Sequence, residues 1–363
     1  MFLTGQRQLM STILYSLAIL LFFTTNALSR QPKLDNSLVE LYKQAVEKYH
    51  CDEFDDAIAI SLKIREQFPE EPAGVFALLT TYQTIMRNYR VKTYESEYDS
   101  LLNLSVELAR KAIKRDKKNG LNYFYLGYAF GSRSIYYAQR NKWMSALKDG
   151  SQVMKNFHKA LAYNPELYEA YYGMGLFKYW MGAKSKFLRM LPFAKDKRKD
   201  GIREIKLAIE KGEFVKTDGM YGLSAIYLNE KKYDEALQLL NKLYEHYPNN
   251  PTLHYRKGII LEKLQRWDDA LNSFASLSEL LKKTPYKSYS YQMESLYKQA
   301  LCNYQLGHYL ATQENCRQAL SLEKLCDFSN EINGPNEVHS DIVKHIHQLN
   351  DDVQSLVFAR ASK

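Results

Sequence analysis

The segments 232-KYDEALQLLNKLYEHYPNNP-251 and 266-RWDDALNSFASLSEL-280 follow one pattern, and their spacing decides the fold. In each segment an aromatic residue is followed by two acids and an alanine, so that Ala236 and Ala270 are 34 residues apart. The apolar residues after each alanine recur at the spacing of one helix face. A repeat of this length is typical of arrays of paired antiparallel helices. The two segments therefore predict the second helices of successive helical hairpins.

Residues that suit helix crossing, packing between helices and helix termination occur at the corresponding positions of the predicted hairpins. Gly258 lies where the first helix of a unit would cross the second, and a small residue lets the two helices approach closely. Large side chains such as Tyr227, Leu240 and Phe274 would fill the space between helices, and Pro248 would stop a second helix. In these residues the chain resembles tetratricopeptide repeat (TPR) proteins. The resemblance implies an all-α fold, a right-handed superhelical solenoid of about seven helical hairpins.

The same register extends over most of the chain. The first-helix packing position falls at Ala45, Leu79, Gly127, Gly175, Ser224, Gly258 and Ala300, with successive differences of 34, 48, 48, 49, 34 and 42 residues. The middle three units are therefore longer than the 34-residue units. If the two helices of a unit share the additional residues equally, each helix gains about seven residues, which is close to two helical turns. We predict a TPR-like array over residues 30–328, with elongated units at about 72–216 and 34-residue units at about 38–71 and 217–284.

The C-terminal segment, residues 329–363, begins with a turn-forming linker and continues as an amphipathic helix. One face of this helix carries Ile342, Ile346, Leu349, Val353 and Leu356. Repeat arrays need a terminal element that covers the exposed end of the core. We therefore predict that this helix caps the last repeat.

The N-terminus has the pattern of an export signal. An apolar run from Ile13 to Phe23 is followed by the small residues Ala27 and Ser29, which predicts a signal peptide over residues 1–29 with cleavage after Ser29. The expected location is then the periplasm of a Gram-negative bacterium. Retention of the segment as an inner-membrane anchor is the alternative.

Four cysteines follow the predicted signal peptide, at Cys51, Cys302, Cys316 and Cys326. An oxidising compartment permits one disulfide among the last three, and four free thiols are the other interpretation. The cysteines and histidines lack the close pairing that a metal site requires, so we expect no metal and no cofactor.

The resemblance also places a set of aromatic residues on the concave surface, where TPR proteins bind peptides or partner helices. Position 5 of the units is occupied by Tyr42, Phe76, Phe124, Tyr172, Tyr221, Tyr255 and Tyr297, and further positions of the groove by Tyr128, Tyr179, Trp180 and Tyr304. Aromatic rings bury much area for little side-chain entropy, which suits them to hold a peptide. The alternative is that these rings only support neighbouring helices.

Charge suggests a second surface. The formal net charge is +9, and the residues Lys195, Lys197, Arg198 and Lys199 follow Pro192 in a predicted basic loop. Such a loop could contact a membrane surface or another anionic partner, or it could simply be solvated. We expect no nucleic-acid partner for an exported protein.

None of the common catalytic motifs occurs in the sequence: there is no phosphate-binding Gly-rich loop, no His-Glu-x-x-His and no Gly-x-Ser-x-Gly. We therefore predict a non-catalytic scaffold or adaptor that binds a protein or peptide in the aromatic groove. The alternative is a carrier of a small apolar molecule or lipid, enclosed by the elongated units around Tyr128, Tyr172, Tyr179 and Trp180.

Overall fold

The computed structural model describes residues 35–139, 142–184, 196–335 and 337–361, and these ranges contain fifteen α-helices and no β-strand. The helices are α1 (Asn36–His50), α2 (Phe54–Gln67), α3 (Ala73–Tyr89), α4 (Glu95–Arg115), α5 (Gly120–Gln139), α6 (Trp143–Tyr163), α7 (Tyr168–Lys184) and α8 (Arg198–Lys211). They continue with α9 (Lys216–Asn229), α10 (Tyr233–His246), α11 (Pro251–Lys263), α12 (Trp267–Lys283), α13 (Tyr289–Gln305), α14 (Tyr309–Ser321) and α15 (His339–Ala361). The predicted all-α fold is confirmed. The predicted signal peptide lies outside the described residues.

The chain divides into a short unit, residues 1–39, and a large unit, residues 40–363. Of the short unit, only residues 35–39 are described. There the Asp35 carboxylate accepts hydrogen bonds from the backbone N–H and the hydroxyl of Ser37, at 2.8 and 2.6 Å, which starts helix α1. The remaining description concerns the large unit.

Neighbouring helices of the large unit pack at small residues. The side chains of Ala236 and Ala270 are completely buried, and a Cβ atom on Gly258 would lie 2.5 Å from the ring of Phe274. These are the crossing residues that the 34-residue period indicates. The helical hairpins α9–α10 and α11–α12 therefore have the close approach that the sequence predicts.

The longest hairpin is in the middle of the array. Helices α5 and α6 have 20 and 21 residues, whereas α9 and α10 have 14 each. Arg133 of α5 and Asp149 of α6 join the two helices by a bidentate ion pair, with nitrogen–oxygen distances of 2.6 and 3.1 Å. The additional residues thus lengthen both helices of this unit without breaking their packing.

Contacts between distant repeats close the inner side of the large unit. Tyr49 of α1 donates a hydrogen bond to Asp218 of α9 at 3.0 Å. Thr252 of α11 donates to Asn88 of α3 at 2.9 Å. After α3, the backbone around Val91 pairs with that of Glu331 in the linker before α15. The first helices of early and late units therefore contact each other.

Helix α15 covers the last hairpin. Its buried side chains Ile342, Ile346 and Leu349 share a core with residues of α13 and α14 that include Met293 and Cys316. Val353 is also buried, whereas Leu356 at the end of the apolar face is exposed.

All four cysteines are free thiols, so the structure has no disulfide among Cys302, Cys316 and Cys326. Cys302 and Cys316 pack into two different hydrophobic clusters. Burial raises the pKa of the Cys302 thiol to about 12, which keeps it protonated and unreactive at neutral pH.

Within the described ranges, no helix combines the length and the apolar character that crossing a bilayer requires.

Candidate functional site

Six of the eleven aromatic residues predicted for the concave surface are buried. The buried ones are Phe76, Phe124, Tyr179, Tyr221, Tyr255 and Tyr297, and the partly exposed ones are Tyr42, Tyr128, Tyr172, Trp180 and Tyr304. A partner cannot contact the first group without local opening of the chain. For these six residues the structure favours the alternative in which they support neighbouring helices.

Contacts between the rings explain this burial. The ring centroid of Phe76 lies 4.3 Å from that of Tyr128, 5.7 Å from that of Phe124 and 6.2 Å from that of Tyr42. Farther along the array, the ring of Tyr297 stacks on His345 of the capping helix, at 6.1 Å. Equivalent rings of successive repeats therefore pack on each other and leave little open aromatic surface.

Two residues of the predicted carrier pocket, Tyr172 and Tyr179, bind opposite ends of helix α9. The hydroxyl of Tyr172 donates to the Asp218 carbonyl oxygen, at the start of α9, at 3.0 Å. The hydroxyl of Tyr179 donates to the carboxylate of Glu230, just after α9, at 2.8 Å. These two positions are separated by the length of that helix, about 18 Å at 1.5 Å per residue. Trp180 packs edge-on against Tyr179.

The predicted basic loop is only partly a loop. Lys195 lies outside the described residues, Lys197 directly precedes α8, and Arg198 and Lys199 belong to the first turn of that helix. The guanidinium of Arg198 pairs with Asp196 at 2.7 Å and with Glu230 at 3.2 Å. Two carboxylates of the chain therefore already pair with Arg198.

An open groove of about 510 Å³ lies on another face of the array, between α12 and α14. Helix α13 forms its floor with Leu296 and Gln299, and the turn from α10 to α11 closes one end with Tyr244, Asn249 and His254. Its walls carry Ala275, Ser276, Ser278, Glu279, Leu280, Lys282 and Lys283 from α12, and Asn315 and Gln318 from α14. We call this feature the outer groove.

Several polar groups of the outer groove have no partner in the described part of the chain. The side-chain amide of Asn249 and the ammonium of Lys283 are exposed and form no hydrogen bond or ion pair with it. Asn315 accepts a hydrogen bond from Asn303 at 2.9 Å, which leaves its own NH₂ group free, and Gln318 donates to Glu314, which leaves its carbonyl oxygen free. The groove therefore offers amide donors and acceptors and one cation beside apolar side chains.

The floor of the groove is rigid. The amide of Gln299 donates to the hydroxyl of Ser278 at 2.7 Å and to the carbonyl oxygen of Phe274 at 3.3 Å. Ser295 donates to the same carbonyl oxygen at 2.9 Å. Buried hydrogen bonds of this kind hold α12 and α13 at a fixed separation.

The outer groove was not predicted from the sequence. It forms between the second helices of adjacent units, whereas the resemblance directed attention to the first helices. The signal that could have indicated it is the pair of small residues Ala275 and Ser276 among the larger residues of α12.

Comparisons with known proteins agree with a repeat fold. The sequence model of the tetratricopeptide repeat family matches residues 227–288. No curated protein matches the sequence.

One similar solved structure is the Cut9–Hcn1 hetero-tetramer of APC/C, at 17% identity, with 75% of this chain and 43% of that chain covered and a TM-score of 0.49. A second is YrrB, described as a TPR protein with an unusual peptide-binding site, at 17% identity, with 60% of this chain and 94% of that chain covered and a TM-score of 0.43. Another is a thermophilic TPR protein of Thermus thermophilus, at 17% identity, with 62% of this chain and 98% of that chain covered and a TM-score of 0.41. The match with the first structure spans less than half of its length.

Proposed function

We propose that this chain, which contains tetratricopeptide repeats, is a non-catalytic scaffold that binds an extended segment of a partner protein in the outer groove. The observation that carries the proposal is an open groove of about 510 Å³ whose walls hold unpaired amide groups beside apolar side chains. An extended peptide exposes one backbone N–H and one C=O group per residue, and side-chain amides satisfy both. The groove adjoins the segment that matches the TPR family model.

The composition of the groove indicates the kind of segment that fits. Lys282 is already paired with Glu279 at 2.9 Å, whereas Lys283 is unpaired. An acidic side chain of the partner would pair with Lys283 at the rim. Leu280 and Leu296 lie closer to the floor and would contact an apolar side chain of the same segment.

The five partly exposed concave residues remain a second predicted contact surface.

Export to the periplasm also belongs to this proposal and is supported by the pattern at residues 1–29. Mass spectrometry of the protein recovered from a periplasmic fraction should find Arg30 at the N-terminus. An intact chain beginning at Met1 in the membrane fraction would favour the anchor.

The test of the groove has two steps. A photo-reactive amino acid at position 283 should capture a peptide segment of one partner, which is identified by mass spectrometry and then synthesised. Its affinity is measured by calorimetry for the wild type, for Ser276→Trp and for Ser100→Trp. Ser276 is exposed in the groove and Ser100 is exposed on α4, so the two substitutions add the same bulk at a blocking and a remote position.

We expect Ser276→Trp to weaken binding at least tenfold and Ser100→Trp to leave it unchanged. Equal affinity of the two variants would show that the partner binds elsewhere. Failure of position 283 to capture any polypeptide would likewise count against the groove as the binding site.

A further inference from the structure

Two arginines of distant repeats, Arg87 and Arg256, lie close enough in the large unit for their charges to interact. Arg87 precedes Asn88 near the end of α3, and Arg256 lies one turn after Thr252 in α11. The side chains of Asn88 and Thr252 are hydrogen-bonded at 2.9 Å, and the guanidinium of Arg90 lies 4.5 Å from the ring centroid of Tyr255. These contacts bring the end of α3 against α11, with Arg87 and Arg256 beside the contact.

Neither of the two arginines forms an ion pair with an Asp or Glu in the described ranges of the chain. Arg256 is half-buried, and its Nη1 atom donates to the Tyr221 carbonyl oxygen at 2.8 Å and to the Ser224 hydroxyl at 3.3 Å. Its other N–H groups have no such partner. The pKa of Arg256 is lowered to about 10, first by burial and then by the positive charge of Arg87. Two like charges thus lie near each other without a direct ion pair in the described ranges.

A buried hydroxyl lies at the same place. Tyr221 is 7% exposed, and its hydroxyl group has no hydrogen-bond partner in the described part of the chain. An unpartnered buried hydroxyl is unfavourable, because it has lost its hydrogen bonds to water and gained none in the protein. The ring of Tyr221 is held in place by His50 of α1, which stacks on it with centroids 6.3 Å apart and an angle of 13°.

Two acids, Asp52 and Asp218, lie near the same place. The carboxylate of Asp218 accepts a hydrogen bond from Tyr49 at 3.0 Å and lies 3.6 Å from Nε2 of His50. The carboxylate of Asp52 accepts one from Asn88 at 3.1 Å, and burial raises its pKa to about 7, which reduces its negative charge at neutral pH. Asp52, which interacts electrostatically with Arg87, therefore offsets the positive charge of the two arginines only in part at neutral pH.

We propose that a small oxyanion, a carboxylate or a phosphate, binds between Arg87 and Arg256 and accepts a hydrogen bond from the hydroxyl of Tyr221. Guanidinium groups bind carboxylate and phosphate oxygens through paired, charge-assisted hydrogen bonds. Such an anion removes the repulsion between the two arginines and supplies the missing partner of Tyr221. Arg87 is exposed, which gives the site access to solvent.

The site also connects the repeats that close the inner side. Arg87 belongs to α3, Tyr221 to α9 and Arg256 to α11, and α1 packs over Tyr221 through His50. A ligand that binds all three groups would stabilise the closed arrangement by mass action. The proposal is independent of peptide binding in the outer groove.

The experiment measures the binding of inorganic phosphate, citrate and a short oligoglutamate peptide to the full chain by calorimetry, together with the melting temperature at each ligand concentration. The variants are Arg87→Ala, Tyr221→Phe and, as a matched control, Arg317→Ala. Arg87 and Arg317 are both exposed, and Arg317 pairs with Glu314 on the distant helix α14. Tyr221→Phe keeps the buried ring and removes only the hydroxyl.

We expect at least one of the three probes to bind the wild type and to raise its melting temperature. Arg87→Ala should weaken that binding tenfold or more, Tyr221→Phe should weaken it less, and Arg317→Ala should leave it unchanged. Binding of phosphate or citrate identifies a free ion as the ligand, and binding of oligoglutamate alone identifies a polypeptide carboxylate. If none of the probes binds the wild type, or if Arg87→Ala and Tyr221→Phe bind as well as Arg317→Ala, the proposed site is wrong. The groove variant Ser276→Trp should bind the anion normally, which separates this outcome from that of the proposed function.

Discussion

The backbones of Gly175 in α7 and Gly201 in α8 touch each other. A Cβ atom on Gly175 would lie 2.6 Å from the carbonyl oxygen of Gly201, and one on Gly201 would lie 2.5 Å from the carbonyl oxygen of Gly175. Backbone atoms of two packed helices cannot move apart at one point without shifting neighbouring contacts, here those of Ile205. The close crossing of the two helices therefore depends on the absence of a side chain at both positions.

Gly175→Ala should lower the free energy of unfolding by about 1–3 kcal/mol, the usual cost of adding a methyl group to a packed interior. Gly131→Ala on α5 is the matched control, because a Cβ atom there would be 3.8 Å from Val153 and meet no closer atom. The control should be neutral or gain up to about 1 kcal/mol, since alanine favours helix more than glycine does. Urea unfolding of both variants checks the difference, and equal stabilities would show that the crossing adjusts freely.

The crossing at Gly175 is a part of the fold that could be predicted from the sequence, because the repeat register assigns this residue to the first-helix packing position. The contacts of Tyr49 with Asp218 and of Asn88 with Thr252 could not be predicted in this way. They depend on the curvature of the array, which is the sum of small rotations over many repeats and is not encoded by any single motif. Packing of rings from successive repeats, such as Phe76 on Phe124, buries aromatic residues that the resemblance places on an open groove. The floor of the outer groove depends on the separation of α12 and α13, which is held by buried hydrogen bonds of Gln299 that have no sequence signature.

A buried ion pair joins the end of α3 to α13. The guanidinium of Arg90 pairs with the carboxylate of Glu294, whose side chain is 1% exposed. Glu294 also accepts a hydrogen bond from Tyr255 at 2.7 Å. Glu294→Ala leaves a buried, uncompensated positive charge and should cost about 3–5 kcal/mol of stability.

The control for this substitution is Glu279→Ala, which removes a glutamate that is 59% exposed and paired with Lys282. Exposed ion pairs of this kind contribute about 0–1 kcal/mol. Chemical denaturation of the two variants measures the contrast. Similar losses for both would mean that the Arg90–Glu294 pair does not hold the repeats together.

The carboxyl group of Asp52 predicts a dependence of stability on pH. Burial raises its pKa from the ordinary 3.8 to about 7 in the folded chain. Between pH 4 and pH 7 the carboxyl group is therefore protonated more in the folded state than in the unfolded state. The stability that this proton contributes is present below about pH 4 and is lost as the pH rises towards 7. Each unit of the shift corresponds to about 1.4 kcal/mol.

Asp52→Asn removes this titration and keeps the side-chain oxygen that accepts from Asn88. Asparagine also tolerates the left-handed backbone at this position, where φ is 61°. We expect the variant to be more stable than the wild type at pH 8 by about 1 kcal/mol or more, with a difference that shrinks towards pH 4. Unfolding free energies measured from pH 4 to 8 test this, and parallel curves for the two proteins would contradict it.

The capping helix α15 should stabilise the last repeats and leave distant ones unchanged. Ile346 is completely buried against α13 and α14, so Ile346→Ala should cost about 2–5 kcal/mol. Leu356→Ala, at an exposed position of the same helix, should change stability by less than about 0.5 kcal/mol. Because each repeat contacts mainly its neighbours, hydrogen exchange in Ile346→Ala should accelerate in α13 and α14 and stay near wild-type rates in α5 and α6. Uniform acceleration over all helices would show instead that the large unit unfolds as a single cooperative body, in which the contacts between distant repeats, such as Arg90 with Glu294, transmit the loss of the cap.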